Sequence, residues 1–161
     1  MVRVFIVYGG KEGERIGSRV HNYFKANNIG VFLASPKSAD LHPSEKWEDR
    51  INRELKDAHL AVIIVTDGLK SSAPAKREIN RIIDVLKYPY LPFVRKGVRP
   101  PKKLARDWNV FFNSPCARKN ELIELELRMW RYYDEWNAMQ AQSGIETAEI
   151  TAKVASGIRI G

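Results

Sequence analysis

The stretch HLAVIIVT, residues 59–66, decides the fold. From Leu60 to Val65 every residue is apolar and most are β-branched, so neither side of a strand built from them has a polar position to turn to water. Such a strand has to be covered on both faces, which is the habit of a parallel sheet packed between helices. Upstream, Trp47, Ile51, Leu55 and Ala58 recur at helical intervals through an otherwise charged segment, and Trp47 reads as a core residue of that helix. Downstream, 67–73 is a polar turn, Pro74 suits the first turn of the next helix, and Ile79, Ile82, Ile83 and Leu86 supply its apolar face.

The same alternation extends in both directions. Val2 to Val7 is a second apolar run, ending at Gly9-Gly10. Ile16, Val20, Tyr23 and Phe24 then form one stripe of a helix that stops at Asn27-Asn28-Ile29-Gly30. Val31-Phe32-Leu33 is a short strand, and 34–46, with Pro36, Asp40, Pro43 and several serines, reads as a long loop. Tyr90 to Val94 is a strand whose Pro92 favours an edge or a strand end. Asn109 to Phe112 is another short strand. From Ala117 to Gln140 runs a long helix with Leu122, Leu125, Met129, Tyr133 and Trp136 in near-heptad spacing. The expected fold is α/β: a flavodoxin-like, doubly wound, five-stranded parallel sheet of order 2-1-3-4-5 with helices on both faces. The expected organisation is one domain over 1–140, with 141–161 a polar tail that frays. Ligands of such sheets bind beyond the carboxyl ends of the strands, so the loops to watch are 8–13, 34–46 and 67–76.

Composition bounds the function. The 161 residues are 44% hydrophobic and 29% charged, as in soluble globular proteins. No apolar run approaches the ~18 residues of a membrane span, and Val4 to Tyr8 reads as too short for a signal peptide. A cytoplasmic protein with no membrane partner is expected. Cys116 is the single cysteine, which leaves no internal disulfide or zinc cluster. The net charge is +8, and eight cations stand between Arg95 and Lys119 against Asp107 alone. This block offers a surface to phosphates or an acidic partner. A nucleic-acid role is not favoured, because Trp108 is its only stacking residue.

Several chemistries are excluded. The loop Tyr8-Gly9-Gly10-Lys11-Glu12-Gly13 lacks both GxxxxGK[ST] and the dinucleotide glycine pattern. Strand one ends without acidic residues, so a phosphoacceptor site with Mg²⁺ has no ligands, and no metal is expected. No GxSxG occurs. His21 and His59 read as structural, His21 on a helix surface and His59 at a strand edge, while His42 lies in the open loop. What remains is Glu78, a carboxylate placed by Ser71-Ser72-Ala73-Pro74-Ala75-Lys76-Arg77-Glu78 in the early turns of helix three. By spacing alone it is better explained by the helix dipole or by pairing with Arg77 or Arg81 than by catalysis.

Taken together and in order, these segments resemble the Toll/interleukin-1 receptor (TIR) domain family, in its prokaryotic type, over about residues 2–91. Val4-Phe5-Ile6-Val7-Tyr8 is similar to the family's F-I-S-Y box, and Gly30-Val31-Phe32 to its G-x-V-F strand. Pro43-Ser44-Glu45-Lys46-Trp47 resembles the end of its BB loop. Ser72 to Glu78 falls on its S-x-W-C-x-x-E motif, with Pro74 and Ala75 in place of Trp and Cys.

The resemblance implies an NAD+ glycohydrolase that cleaves the nicotinamide–ribose bond, takes NAD+ as substrate and needs no cofactor. Glu78 would be the catalytic residue, with Tyr8, Gly9, Phe32 and Ser72 binding substrate. It further implies activation by self-association through TIR–TIR contacts, with the loop 34–46 in the interface, and a role in defence or cell-death signalling. Two other readings remain. One is a non-catalytic TIR adaptor acting through homotypic assembly. The other is an enzyme like the nucleoside 2-deoxyribosyltransferases, whose G-T-x-x-E context residues 73–77 do not supply.

Overall fold

The structure is a computed structural model that describes residues 2–35, 46–104, 108–113 and 115–155. Most of the loop 34–46, with His42, lies outside the described residues. Strands β1 (Arg3–Val7), β2 (Gly30–Leu33), β3 (Leu60–Val65), β4 (Tyr90–Arg95) and β5 (Val110–Phe112) form one parallel sheet in the order β2-β1-β3-β4-β5. Helices α1 (Gly10–Ala26), α2 (Trp47–Asp57), α3 (Ala73–Asn80) and α4 (Lys119–Ala155) connect and cover it. After Asn80 the third helix widens into a π-helical turn, Arg81–Leu86, closed by the Lys87 amide donating to the Ile82 carbonyl at 2.7 Å.

The apolar run at the centre of the sequence is the centre of the sheet. β3 lies between β1 and β4, and all six of its residues are buried. Alternate side chains feed two separate cores. Val4, Ile6, Leu60, Val62 and Ile64 pack with Ile16, Val20 and Phe24 of α1 and with Leu122, Leu125 and Met129 of α4. Phe5, Val7, Ala61, Ile63 and Val65 pack with Leu55 of α2, Ala75 and Ile79 of α3, and Ile82. The period-2 geometry of a strand divides a continuous apolar run this way.

Four expectations need correction. β4 is an interior strand, paired with both β3 and β5. It tolerates Pro92 because its ladder to β5 begins only at Phe93, opposite Val110. His21 is buried on α1 and not at a helix surface. Trp47 is 41% exposed and not in the core. Along α2 only Leu55 is fully buried, and Trp47, two turns earlier, overhangs the edge of the packed region.

The fourth correction concerns the C-terminal helix, which does not end at residue 140. α4 continues through the stretch expected as a frayed tail as far as Ala155. Polarity there removes burial but not helix propensity: Ala138, Ala141, Gln142, Glu146 and Ala148 are good helix formers, and only Gly144 works against them. From Asn137 to Ile145 every residue is exposed, so this part of α4 stands clear of the sheet.

Candidate functional site

At the carboxyl edge, the loop after β1 and the loop after β3 cross backbone to backbone. A Cβ on Gly9 would stand 2.7 Å from Ser72 Cβ and 2.8 Å from the Gly68 carbonyl oxygen, and a Cβ on Gly68 would stand 2.8 Å from the Gly9 oxygen. Neither position has room for a side chain, so glycine at both is what lets α3 start beside β1. Ser72 caps α3, its Oγ accepting from the Ala75 amide at 3.2 Å. Arg95, at the end of β4, ties the same edge together. Its guanidinium donates to Glu12 at the start of α1 at 2.8 and 3.1 Å and to Asp67 after β3 at 2.7 Å.

Glu78 projects from α3 into a cleft of about 720 Å³ between α2 and α3. Trp47, Ile51 and Leu55 form the α2 wall; Pro74, Arg77 and Arg81 lie beside Glu78 on the other. Burial pushes the Glu78 carboxyl up from 4.5 to about 8, against a smaller opposing pull from the Arg77 guanidinium. The carboxyl therefore holds its proton at neutral pH while the cleft is empty. Glu78 also acts on its neighbours. The Tyr88 hydroxyl donates to the Leu55 carbonyl at 2.9 Å, and its pKa is raised by burial first and by the Glu78 charge second. Arg81 reaches across the cleft, donating to Asn52 Oδ1 at 3.2 Å.

The other residues singled out in the sequence are distributed unevenly around this carboxyl. Tyr8 is half-buried over α1, facing Gly13 and Gly17, and its hydroxyl donates to the Ala34 carbonyl at 2.5 Å. Its pKa is pushed up to about 12, by burial first, then by the Glu14 charge, with a smaller contribution from Glu78 and a lowering one from a hydrogen bond to Ser35. Tyr8 is thus electrostatically coupled to Glu78 without lining its cleft. Gly9 and Ser72 meet each other at the start of α3, nearly two turns before Glu78. Phe32 is not brought to Glu78. It is 4% exposed, packed on Phe5 with ring centroids 5.6 Å apart, and covered by the Arg50 guanidinium 5.6 Å from its ring. A phenylalanine at the second position of a buried face fills the core.

The residue the sequence reading missed is Trp47. Its helical spacing matched the core stripe, and only its distance from Leu55 signalled that it could pass the core's edge. His59 sits at the sheet's amino edge, accepting from the Arg3 amide at 3.0 Å. Two cations of the block 95–119 are held by acids of the domain itself: Arg95 as described, and Lys103 by Asp84 at 2.5 Å. Among the described residues no group of three His, Cys, Asp or Glu side chains is placed to hold a metal, and no helix is long and apolar enough to cross a membrane.

No curated protein sequence matches the chain. Among solved structures, it is similar to the TIR domain of the Toll-related receptor TRR-2 from Hydra magnipapillata, at 10% identity and a TM-score of 0.59, covering 83% of this chain and 99% of that one. It is also similar to the TIR domains of the activated Roq1 resistosome that recognizes the pathogen effector XopQ, at 14% identity and a TM-score of 0.52. There 60% of this chain is covered, and the match spans 58% of the Roq1 chain. A 2-deoxyribosyltransferase from Bacillus psychrosaccharolyticus is similar as well, at 13% identity and a TM-score of 0.53, covering 69% of this chain and 85% of that one. At these identities the likeness is one of fold. A family model for the TIR domain matches residues 4–126, from β1 into α4, and the chain belongs to the TIR domain family.

Proposed function

We propose that this TIR-domain protein cleaves the nicotinamide–ribose bond of NAD+, with Glu78 as the catalytic carboxylate, and that it does so as a self-associating signalling or defence component. The observation that carries the reading is the placement of Glu78: a carboxyl raised to about 8 in a cleft large enough for a nucleotide, lined by Trp47, Ile51, Leu55 and Pro74 and by polar groups that include Arg77 and Arg81. Nicotinamide leaves as a neutral molecule from a cationic ring, so no acid is needed at departure. Positive charge collects on the ribose as the bond breaks. A carboxylate beside it stabilises that oxocarbenium character, and water then adds at C1′ to give ADP-ribose and a proton.

The raised pKa is compatible with this role. The cationic ring of NAD+ favours the ionised form of Glu78, so binding expels the proton that burial retains in the empty cleft. Ser72 sets the start of α3 and through it the direction of Glu78. Gly9 allows the β1 and β3 loops to close on each other, and Tyr8 contributes at the same edge. TIR–TIR assembly is the means by which such a site is completed.

A non-catalytic adaptor is the second reading, favoured by apolar side chains left exposed on α4, Ile123 and Leu127 at 41% and 65%, and on β5, Phe111 at 47%. Release of nicotinamide from NAD+ by concentrated protein, measured beside Glu78→Gln, decides between them. Release by wild type and its loss in the folded variant supports the hydrolase; no release from either, even when assembled, moves the function to assembly alone.

A further inference from the structure

Pro74 occupies the α3 position at which the TIR motif carries tryptophan, and it lines the cleft with Glu78. A proline ring there supplies no extended π-face. The same cleft does contain an indole, but on the opposite wall and from a different helix: Trp47, in the first turn of α2 and 41% exposed. An exposed tryptophan over an apolar floor of Ile51 and Leu55 presents both a stacking surface and an electron-rich face. Tryptophan is the strongest of the aromatic side chains at holding a cation in that way.

We propose that Trp47 is the aromatic wall of this site and a specificity-determining residue, stacking on a flat cationic ring and thereby selecting oxidised pyridine dinucleotide over the reduced form. The inference rests on the NAD+ reading above and adds which part of the molecule α2 recognises. The oxidised ring is planar and positively charged, so it gains from both stacking and the indole's negative face. The reduced ring is uncharged and puckered and gains little from either. Glu78, on the α3 side, completes the discrimination by favouring the same cation. An aromatic residue moved from α3 to α2 faces the cleft from the other side, so the ring is held between the two helices in place of lying on one.

The test is calorimetric titration of NAD+ and of NADH into Glu78→Gln protein, which blocks turnover, and into the same protein carrying Trp47→Phe or Trp47→Ala. Because Trp47 lies outside the core, all three should fold, and melting temperatures within ~2 °C of each other would establish it. The proposal expects tighter binding of NAD+ than of NADH, kept by Trp47→Phe. It expects a loss of roughly tenfold in NAD+ affinity with Trp47→Ala and little change for NADH. Equal NAD+ affinity with and without the aromatic ring overturns the wall while leaving the glycohydrolase reading intact. Binding of neither dinucleotide by any of the proteins overturns both. Should wild type release nicotinamide, an unchanged KM in Trp47→Ala overturns the wall by an independent route.

Discussion

Gly9 and Gly68 are in mutual backbone contact: each would place a Cβ 2.8 Å from the other's carbonyl oxygen. This crossing brings the loops after β1 and β3 together at the carboxyl edge and seats Ser72, the N-cap of α3, against β1. The position of Glu78 follows from it, because α3 is directed by where it begins.

Gly9→Ala and Gly68→Ala should each destabilise the domain by ~1–3 kcal/mol, since backbone, and not a flexible side-chain tip, has to move. Gly13→Ala is the control. Its Cβ would lie 3.4 Å from the nearest atom, an ordinary contact, and alanine is the better helix former, so stability should hold or rise slightly. Urea denaturation of the three variants checks the ranking; equal midpoints for Gly9→Ala and Gly13→Ala would contradict the crossing.

Ser72→Ala removes the cap on α3 and should cost about 1 kcal/mol, with Ser72→Asn recovering most of it. If the hydroxyl acts on substrate only through the helix start, nicotinamide release should recover in the Asn variant alongside stability. Activity that stays low in a fully stable Ser72→Asn protein would show direct contact with the ligand.

Glu78 makes stability fall with pH. Its carboxyl is raised from 4.5 to about 8 in the folded protein, so between those values the native state holds a proton that the unfolded chain has lost. The contribution is fully present below about 4.5 and gone once the pH has risen past about 8. Glu78→Gln has no such group. Its melting temperature should match wild type near pH 5 and exceed it at pH 9, a gap worth at most a few kcal/mol. Parallel melting curves across that range would mean that the carboxyl is solvated.

The same shift predicts the activity profile. If the ionised carboxyl is the catalytic form, kcat/KM for NAD+ should rise through neutral pH with an apparent pKa near 8, and kcat should level off at lower pH, because bound cation favours ionisation. A flat profile between pH 6 and 9 would remove Glu78 from the chemical step.

Truncation after Gln140 should leave the melting temperature of the domain within ~2 °C of the full chain. From Asn137 to Ile145 the helix has no buried side chain, so among these residues truncation removes no buried packing. A large loss of stability would mean that this part of α4 is covered in solution, most simply by another copy.

The sheet and its two cores were legible in the sequence because burial on both faces leaves a direct trace: Leu60 to Val65 and Val4 to Val7 have no polar residue to expose. Strand order followed from alternation and handedness, which local sequence also records. Glu78 was legible as a candidate through its place in a motif, although spacing alone favoured a dipole or ion-pair role for it. Trp47 was misjudged as core, and Phe32, a substrate-binding candidate only through the family resemblance, lies buried and outside the Glu78 cleft. Periodicity states which side of an element a residue occupies, and not whether that element reaches the edge of its neighbours. Polarity after residue 140 was likewise an indication of exposure rather than of where α4 ends.

By itself, then, the sequence determined the strands, the helices and their order, because these depend on hydrophobic period, β-branching and turn chemistry within a few residues. Only the tertiary structure decided what surrounds Glu78. The Trp47 wall, the Arg81–Asn52 bridge and the crossing of Gly9 with Gly68 join segments 29 to 59 residues apart in the chain. The environment that holds a proton on Glu78 is a property of that meeting: desolvation depends on which neighbours exclude water, and those neighbours come from another helix.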